Sequence, residues 1–180
     1  MDKNNLNKIK KDVIKICKRS KIFFTDKEFY NIEITDLGLN DFYRIGISII
    51  VYVNTDRICA KELILIPYQI CPQHLHPDID NNLGKEETFR CRWGEVYLYV
   101  SGTETRNIRG EIPEIYKSKF SVFNEIILKP GDQYTLKPNT WHWFQGGKQG
   151  AVMSEFSTHS YDARDIFYDN NIKRIPGDKM

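Results

Sequence analysis

Apolar and polar positions follow a regular pattern along most of the chain, and the period of that pattern changes once. From about residue 5 to 19, Leu6, Ile9, Val13, Ile14 and Cys17 recur at the spacing of one helical face with lysines between them, which predicts an amphipathic helix. Thr25-Asp-Lys-Glu28 has the Ser/Thr-x-x-Glu form of a capping box and predicts a second short helical start. Beyond it strands take over. Arg44 to Val53 and Lys61 to Ile66 are rich in β-branched residues and are joined by Asn54-Thr-Asp-Arg57, so they read as neighbouring strands. Further strands are predicted at Gln69 to His76, Glu86 to Trp93, Glu95 to Ser101, Asn124 to Leu128, Gln133 to Leu136, His142 to Gln145 and Ala151 to Ser157. Gly94, Gly102, Pro130-Gly131-Asp132 and Gly146-Gly147 punctuate them.

Many short strands without intervening helices argue for an all-β fold, an antiparallel sandwich or small barrel. Residues 102 to 121 show weak periodicity and mixed charge and read as a surface excursion. The polar tail from Asp162 onward is expected to pack loosely or fray. The expected organisation is a basic N-terminal helix packed on the domain (1–22), one barrel (23–170) and a polar C-terminal tail (171–180).

Composition supports this reading. A chain of 180 residues fits one domain, and 10 Tyr, 10 Phe and 3 Trp favour pleated, half-buried surfaces. The net charge of +2 hides an asymmetry: residues 1–21 carry eight Lys or Arg against two Asp, and the rest carries 18 basic against 22 acidic residues. A basic arm can dock on nucleic acid or an anionic membrane. Here the helical spacing of the apolar residues leaves the lysines on a solvated face, so neither partner is expected. No apolar stretch of signal-peptide length follows the lysines, and none approaches the ~18 to 20 residues of a membrane span, so a soluble, cytoplasmic protein is expected. Cys17, Cys59, Cys71 and Cys91 lie too far apart for a CxxC motif and read as free, buried thiols.

The chemistry is concentrated in two segments. Three of the four histidines, His74, His76 and His142, fall in them beside Glu87. Residues two apart on a strand share a face, so His74 and His76 can aim both imidazoles at one point. Three imidazoles and a carboxylate are a competent ligand set for a divalent first-row metal, be it Mn, Fe, Co, Ni, Cu or Zn. Lys85 shares the face of Glu87 by the same parity. Glu155 is a carboxylate amid the apolar strand 151–157, as suits a base facing a cavity. His159 reads as a loop histidine, Asp162 and Arg164 as residues able to pair with each other, and at least one of Trp141, Trp143 and Phe144 as core.

His74, His76, Glu87, Gly94, Gly131, Pro138 and His142 together resemble the two motifs of the cupin family, whose fold is a double-stranded β-helix, or jelly roll, with a metal inside the barrel. The gap from His76 to Glu87 is longer than usual, and Asn139 stands where the second motif often has Gly. Cys71-Pro-Gln-His-Leu-His-Pro77, Gly84-Lys-Glu-Glu-Thr-Phe-Arg-Cys-Arg-Trp-Gly94 and Asn139-Thr-Trp-His-Trp-Phe-Gln145 look like D-lyxose isomerases of the cupin type. That resemblance implies a Mn2+-dependent interconversion of D-lyxose with D-xylulose, and of D-mannose with D-fructose. It implies metal ligands His74, His76, Glu87 and His142, with Lys85 and Glu155 catalytic.

The residues suit such a reaction, which needs a base, an electrophile for the developing oxyanion and an anchor for two sugar oxygens. The same ligands would also suit an Fe(II) oxygenase or a non-catalytic sugar-binding cupin. A phosphosugar isomerase is disfavoured by the lack of a Gly-rich phosphate cradle. A homodimer is expected from the general frequency of two-fold assemblies.

Overall fold

The computed structural model describes residues 3–174. It contains helices α1 (Lys3–Ser20) and α2 (Asp26–Asn31) and strands β1 (Glu33–Thr35), β2 (Ile47–Asn54), β3 (Cys59–Leu65), β4 (Ile70–Leu75), β5 (Glu87–Val100), β6 (Asn124–Leu128), β7 (Gln133–Leu136), β8 (His142–Ser157) and β9 (Ile166–Phe167). Short 3-10 turns occupy Glu114–Lys119 and Asp162–Arg164. The capping box at Thr25 forms, with its hydroxyl accepting from the Glu28 amide and the Glu28 carboxylate accepting from the Thr25 amide.

Two long strands organise the barrel. β5 and β8 pair antiparallel along their whole lengths, from Glu87 opposite Ser157 to Val100 opposite His142. On the far side of β8, its first part pairs with β4 and its last part with β3, which continues to β2 and β1. On the far side of β5, β7 takes the first part and β6 the last. The shared pair thus runs through both walls of a curled antiparallel jelly roll.

Here the structure corrects two expectations. The segments 86–93 and 95–101 are one strand, as are 142–145 and 151–157. Gly94 does not reverse the chain; it sits at φ +75 within a register shift and bends β5, which is the behaviour of a bulge. A Cβ at that position would lie 2.1 Å from the Gly150 carbonyl oxygen, so the two bent strands can approach only through glycine.

The inner faces fill with Ile47, Ile49, Leu63, Leu65, Phe89, Cys91, Leu98, Phe144 and Met153, all buried. On the outer face α1 lays Ile9, Val13, Ile16 and Cys17 over Ile50, Ile64 and Val152, which leaves its lysines mostly in solvent. Each buried aliphatic side chain of this kind contributes roughly 1.5 to 3 kcal/mol. Lys18 and Arg19 close α1 where its dipole favours cations. Among the described residues no helix is long and apolar enough to cross a membrane, and all four cysteines are buried and free.

The excursion 102–121 is better anchored than its composition predicts. Gln73 accepts from the Ser121 amide at 2.6 Å, and Gln145 accepts from the Glu111 amide and donates to the Glu111 carbonyl. Phe120 packs on Trp143, whose ring stacks on Tyr99 at 3.8 Å in a third apolar cluster. Buried glutamines satisfy the backbone of a segment that makes no sheet. The tail likewise departs from expectation through residue 174. The Lys173 amide donates to Leu37 O, and Arg174 pairs with Glu33 and Asp162. The rest of the expected tail, 175–180, lies outside the described residues.

Candidate active site

Along the inner face, aliphatic residues give way to charged ones at one end of the barrel. On β3 the inward series is Leu65, Leu63, Lys61; on β8 it is Ala151, Met153, Glu155; on β5 it is Cys91, Phe89, Glu87. Register brings these ends together, with Lys61 opposite Glu155 and Glu155 opposite Phe89. β4 delivers His74 directly opposite His142 of β8. The resulting cavity is also lined by His76, Lys85, Asp162, Asp165, Phe167 and Arg174.

All six residues singled out from the sequence meet here, and all are buried. One side-chain nitrogen from each of His74, His76 and His142 lies within 4.8 Å of the others, a three-histidine group able to hold a metal ion. Glu87 Oε1 stands 3.1 Å from Nε2 of both His76 and His142. Lys85 Nζ lies 2.7 Å from Glu87 Oε2 and 3.0 Å from Glu155 Oε1.

The loop between His76 and Lys85 returns because Gly84 packs against the His76 carbonyl, where a Cβ would lie 2.2 Å from the oxygen. Asp78 ties it down by accepting from the Gly84 amide at 2.7 Å and from Asn139 Nδ2 at 2.8 Å. Asn139 itself sits at φ +61 and donates its amide to the His76 carbonyl. Asparagine tolerates this left-handed conformation, so it serves where the second cupin motif often has Gly.

The fit to a divalent metal rests on two observations. First, the imidazoles are prepared as ligands. Nδ1 of His74 faces Pro72 O at 2.8 Å and Nδ1 of His142 faces Thr140 O at 2.9 Å. A carbonyl only accepts, so these Nδ1 atoms carry the proton and each Nε2 keeps its lone pair. The His142 Nε2 is buried and has no hydrogen bond, its approach to Glu87 being poorly aligned for one. Second, three cations (Lys61, Lys85, Arg174) meet five carboxylates (Glu33, Glu87, Glu155, Asp162, Asp165) in and beside the cavity. With neutral imidazoles this leaves two negative charges in excess, which one divalent cation balances.

Electrostatics follow the same geometry. Burial, with His142 and His76 nearby, pushes His74 well below its ordinary value and keeps it neutral. His76 differs. Burial and Lys85 oppose its charge, but Glu87 on one nitrogen and Asp165 on the other raise it to about 9 in the metal-free protein. Burial also opposes the Lys85 ammonium, yet Glu155 and Glu87 outweigh it and hold the group charged. Burial works against Glu87 in turn, and Lys85 and His76 hold it well below the usual carboxylate range.

Four lining residues escaped the sequence reading. Lys61 bonds Asp162 Oδ1 at 2.8 Å and Ser160 Oγ at 2.9 Å, and stands 3.8 Å from Glu155. Its signal was present, since parity with Leu63 and Leu65 turns it inward. Asp165, Phe167 and Arg174 come from the aperiodic tail and carried no such signal. Asp162 pairs with Lys61 and Arg174, not with Arg164. His159 is a half-buried loop residue facing Thr55 O.

Comparisons with known proteins identify the chain's relatives. The family model for D-lyxose isomerase matches residues 25–178. A D-lyxose ketol-isomerase from Thermofilum sp. (strain ex4484_79) is 54% identical over 176 residues, 98% of each chain. A D-lyxose/D-mannose isomerase from Thermosediminibacter oceani is 50% identical, over 98% of this chain and 97% of that protein. In fold, the chain is similar to a crystal structure of L-ribose isomerase from Acinetobacter sp. DL28, with a TM-score of 0.78 at 14% identity over 98% of this chain and 97% of that one. The chain belongs to the D-lyxose isomerase family of sugar isomerases.

Proposed function

We propose that the protein is a divalent-metal-dependent aldose-ketose isomerase that interconverts D-lyxose with D-xylulose and D-mannose with D-fructose, with Mn2+ as its metal. His74, His76, Glu87 and His142 are the ligands in this reading, and Lys85 and Glu155 the catalytic pair. The observation that carries it is the buried Lys85–Glu155 contact at 3.0 Å beside the histidine group. Names of relatives at about half identity support the sugars. When bound, the metal supplies Lewis acidity and a template for two adjacent sugar oxygens.

The protein's own groups account for the proton transfers. Glu155 takes the proton from C2 of the open-chain aldose; the C–H electron pair becomes the C1–C2 double bond, and the carbonyl pair moves onto O1. The Lys85 ammonium donates a hydrogen bond to the oxygen where charge develops. Glu155 then returns the proton to C1 while the O2 proton passes to O1, leaving the carbonyl at C2 and a hydroxyl at C1. The apolar wall formed by Leu63, Phe89 and Phe144 limits water around the exposed carbanion-like centre.

Purified protein with Mn2+ is expected to form ketose from D-lyxose and from D-mannose in a panel of aldoses, without oxygen uptake. In heavy water, solvent deuterium is expected at C1 of the product. Absence of ketose from both sugars with every first-row divalent metal would overturn the reading.

A further inference from the structure

The three imidazoles of the site are not held in the same way. His74 and His142 are each anchored through Nδ1 to a carbonyl two residues earlier in their own segment. Those anchors are local and hold wherever the strands hold. His76 is anchored through Nδ1 to Asp165 Oδ1 at 2.6 Å, across 89 residues of sequence. Asp165 follows the 3-10 turn Asp162–Arg164 and precedes β9, which is only two residues long. It is mostly buried and lines the same cavity.

We infer that Asp165 is a positioning residue for His76 and sets the affinity of the site for its metal. The inference rests on the ligand role of His76 in the proposed function. A carboxylate on the distal nitrogen of a ligating imidazole fixes the ring and makes the other nitrogen a stronger donor. Here it does so from the tail, so the same segment that supplies Asp162, Phe167 and Arg174 to the cavity also completes one ligand. Phe167 adds to this, its ring stacking on His74 at 5.5 Å. Loss of Asp165 therefore acts on metal retention before it acts on the sugar.

Asp165→Asn keeps an oxygen that can accept from Nδ1–H but removes the charge. Titration of the metal-free variant with Mn2+ against a competing chelator is expected to show affinity weakened about 10- to 100-fold, with Asp165→Ala weaker still. Thermal unfolding of the metal-free Asp165→Asn protein is expected to stay cooperative with a lowered Tm, because the His76–Asp165 contact is present there too. At saturating Mn2+ most of the wild-type kcat returns, whereas a substrate-binding role would leave KM raised. An affinity of Asp165→Asn within about threefold of wild type overturns the inference, as does a loss of metal-free stability with unchanged affinity. Zinc-loaded wild-type protein gives an independent reading. One imidazole Nδ1 proton is expected downfield of the two bound to carbonyls, and its absence likewise counts against Asp165. Because affinity is measured without sugar, these results stand apart from whether D-lyxose is the substrate.

Discussion

Lys85 and Glu155, 70 residues apart, meet at 3.0 Å in a buried contact that also places Lys85 2.7 Å from Glu87. The lysine thus links the proposed base to the proposed metal ligands. Glu155→Gln preserves the shape of the side chain and removes its basicity. It is expected to lower kcat by about 10²- to 10⁴-fold, the usual worth of a positioned acid-base group. Metal content by elemental analysis is expected to stay at the wild-type level, since Glu155 is outside the proposed ligand set.

Lys61 is 3% exposed and serves Asp162, Ser160 and Glu155 at once. Lys61→Met leaves the Asp162 and Glu155 carboxylates buried without this cation. Removing one partner of such a pair costs about 3 to 5 kcal/mol. Denaturant unfolding is expected to show a midpoint lowered accordingly, and a change below about 1 kcal/mol would mean that the cavity admits enough water to screen the loss.

Asn139 at φ +61 separates the demands of backbone and side chain. Asn139→Gly keeps the left-handed turn and loses only the bond to Asp78, at a cost of about 1 kcal/mol. Asn139→Val adds a β-branched side chain where the left-handed region is strained, costing about 1 to 2 kcal/mol more. The order wild type, Gly, Val in melting temperature is the expected result, and the Val variant is expected to show the weaker activity because this turn carries the His76 carbonyl contact.

Acid stability follows from Asp162. Burial opposes its charge, but Lys61 and Lys85 hold the carboxyl well below its ordinary 3.8 in the folded protein. The folded state therefore binds its proton less readily than the unfolded chain. The stabilisation is fully present above the unfolded value and is lost as pH falls toward the depressed one. Urea unfolding between pH 7 and pH 3 is expected to show stability falling with pH, and falling less steeply in Asp162→Asn. Equal slopes would place the acid sensitivity elsewhere.

Much of the site could be read in the chain because strand parity is a local rule. His74 and His76, and Lys85 and Glu87, share a face by spacing alone, and Glu155 was placed inward among apolar neighbours. Lys61 obeyed the same rule and was missed, as a lysine at a strand start reads easily as solvent-facing. The strand breaks at Gly94 and at Gly146-Gly147 were misread because glycine marks both reversals and bends, and only pairing partners distinguish them.

The local pattern of side chains was thus enough to indicate an antiparallel barrel and the two segments that hold the proposed metal ligands, and the motifs in those segments carried the resemblance to the family. Tertiary structure alone decided that the 160–174 segment closes the cavity. Asp165 reaches His76 and Arg174 reaches Asp162 through contacts between residues with no shared period. Periodicity reports which face a side chain takes on its own strand. It carries no information about which distant segment will supply the charge that a buried imidazole or carboxylate requires, and that pairing is settled only when the chain is folded and the buried charges must be balanced.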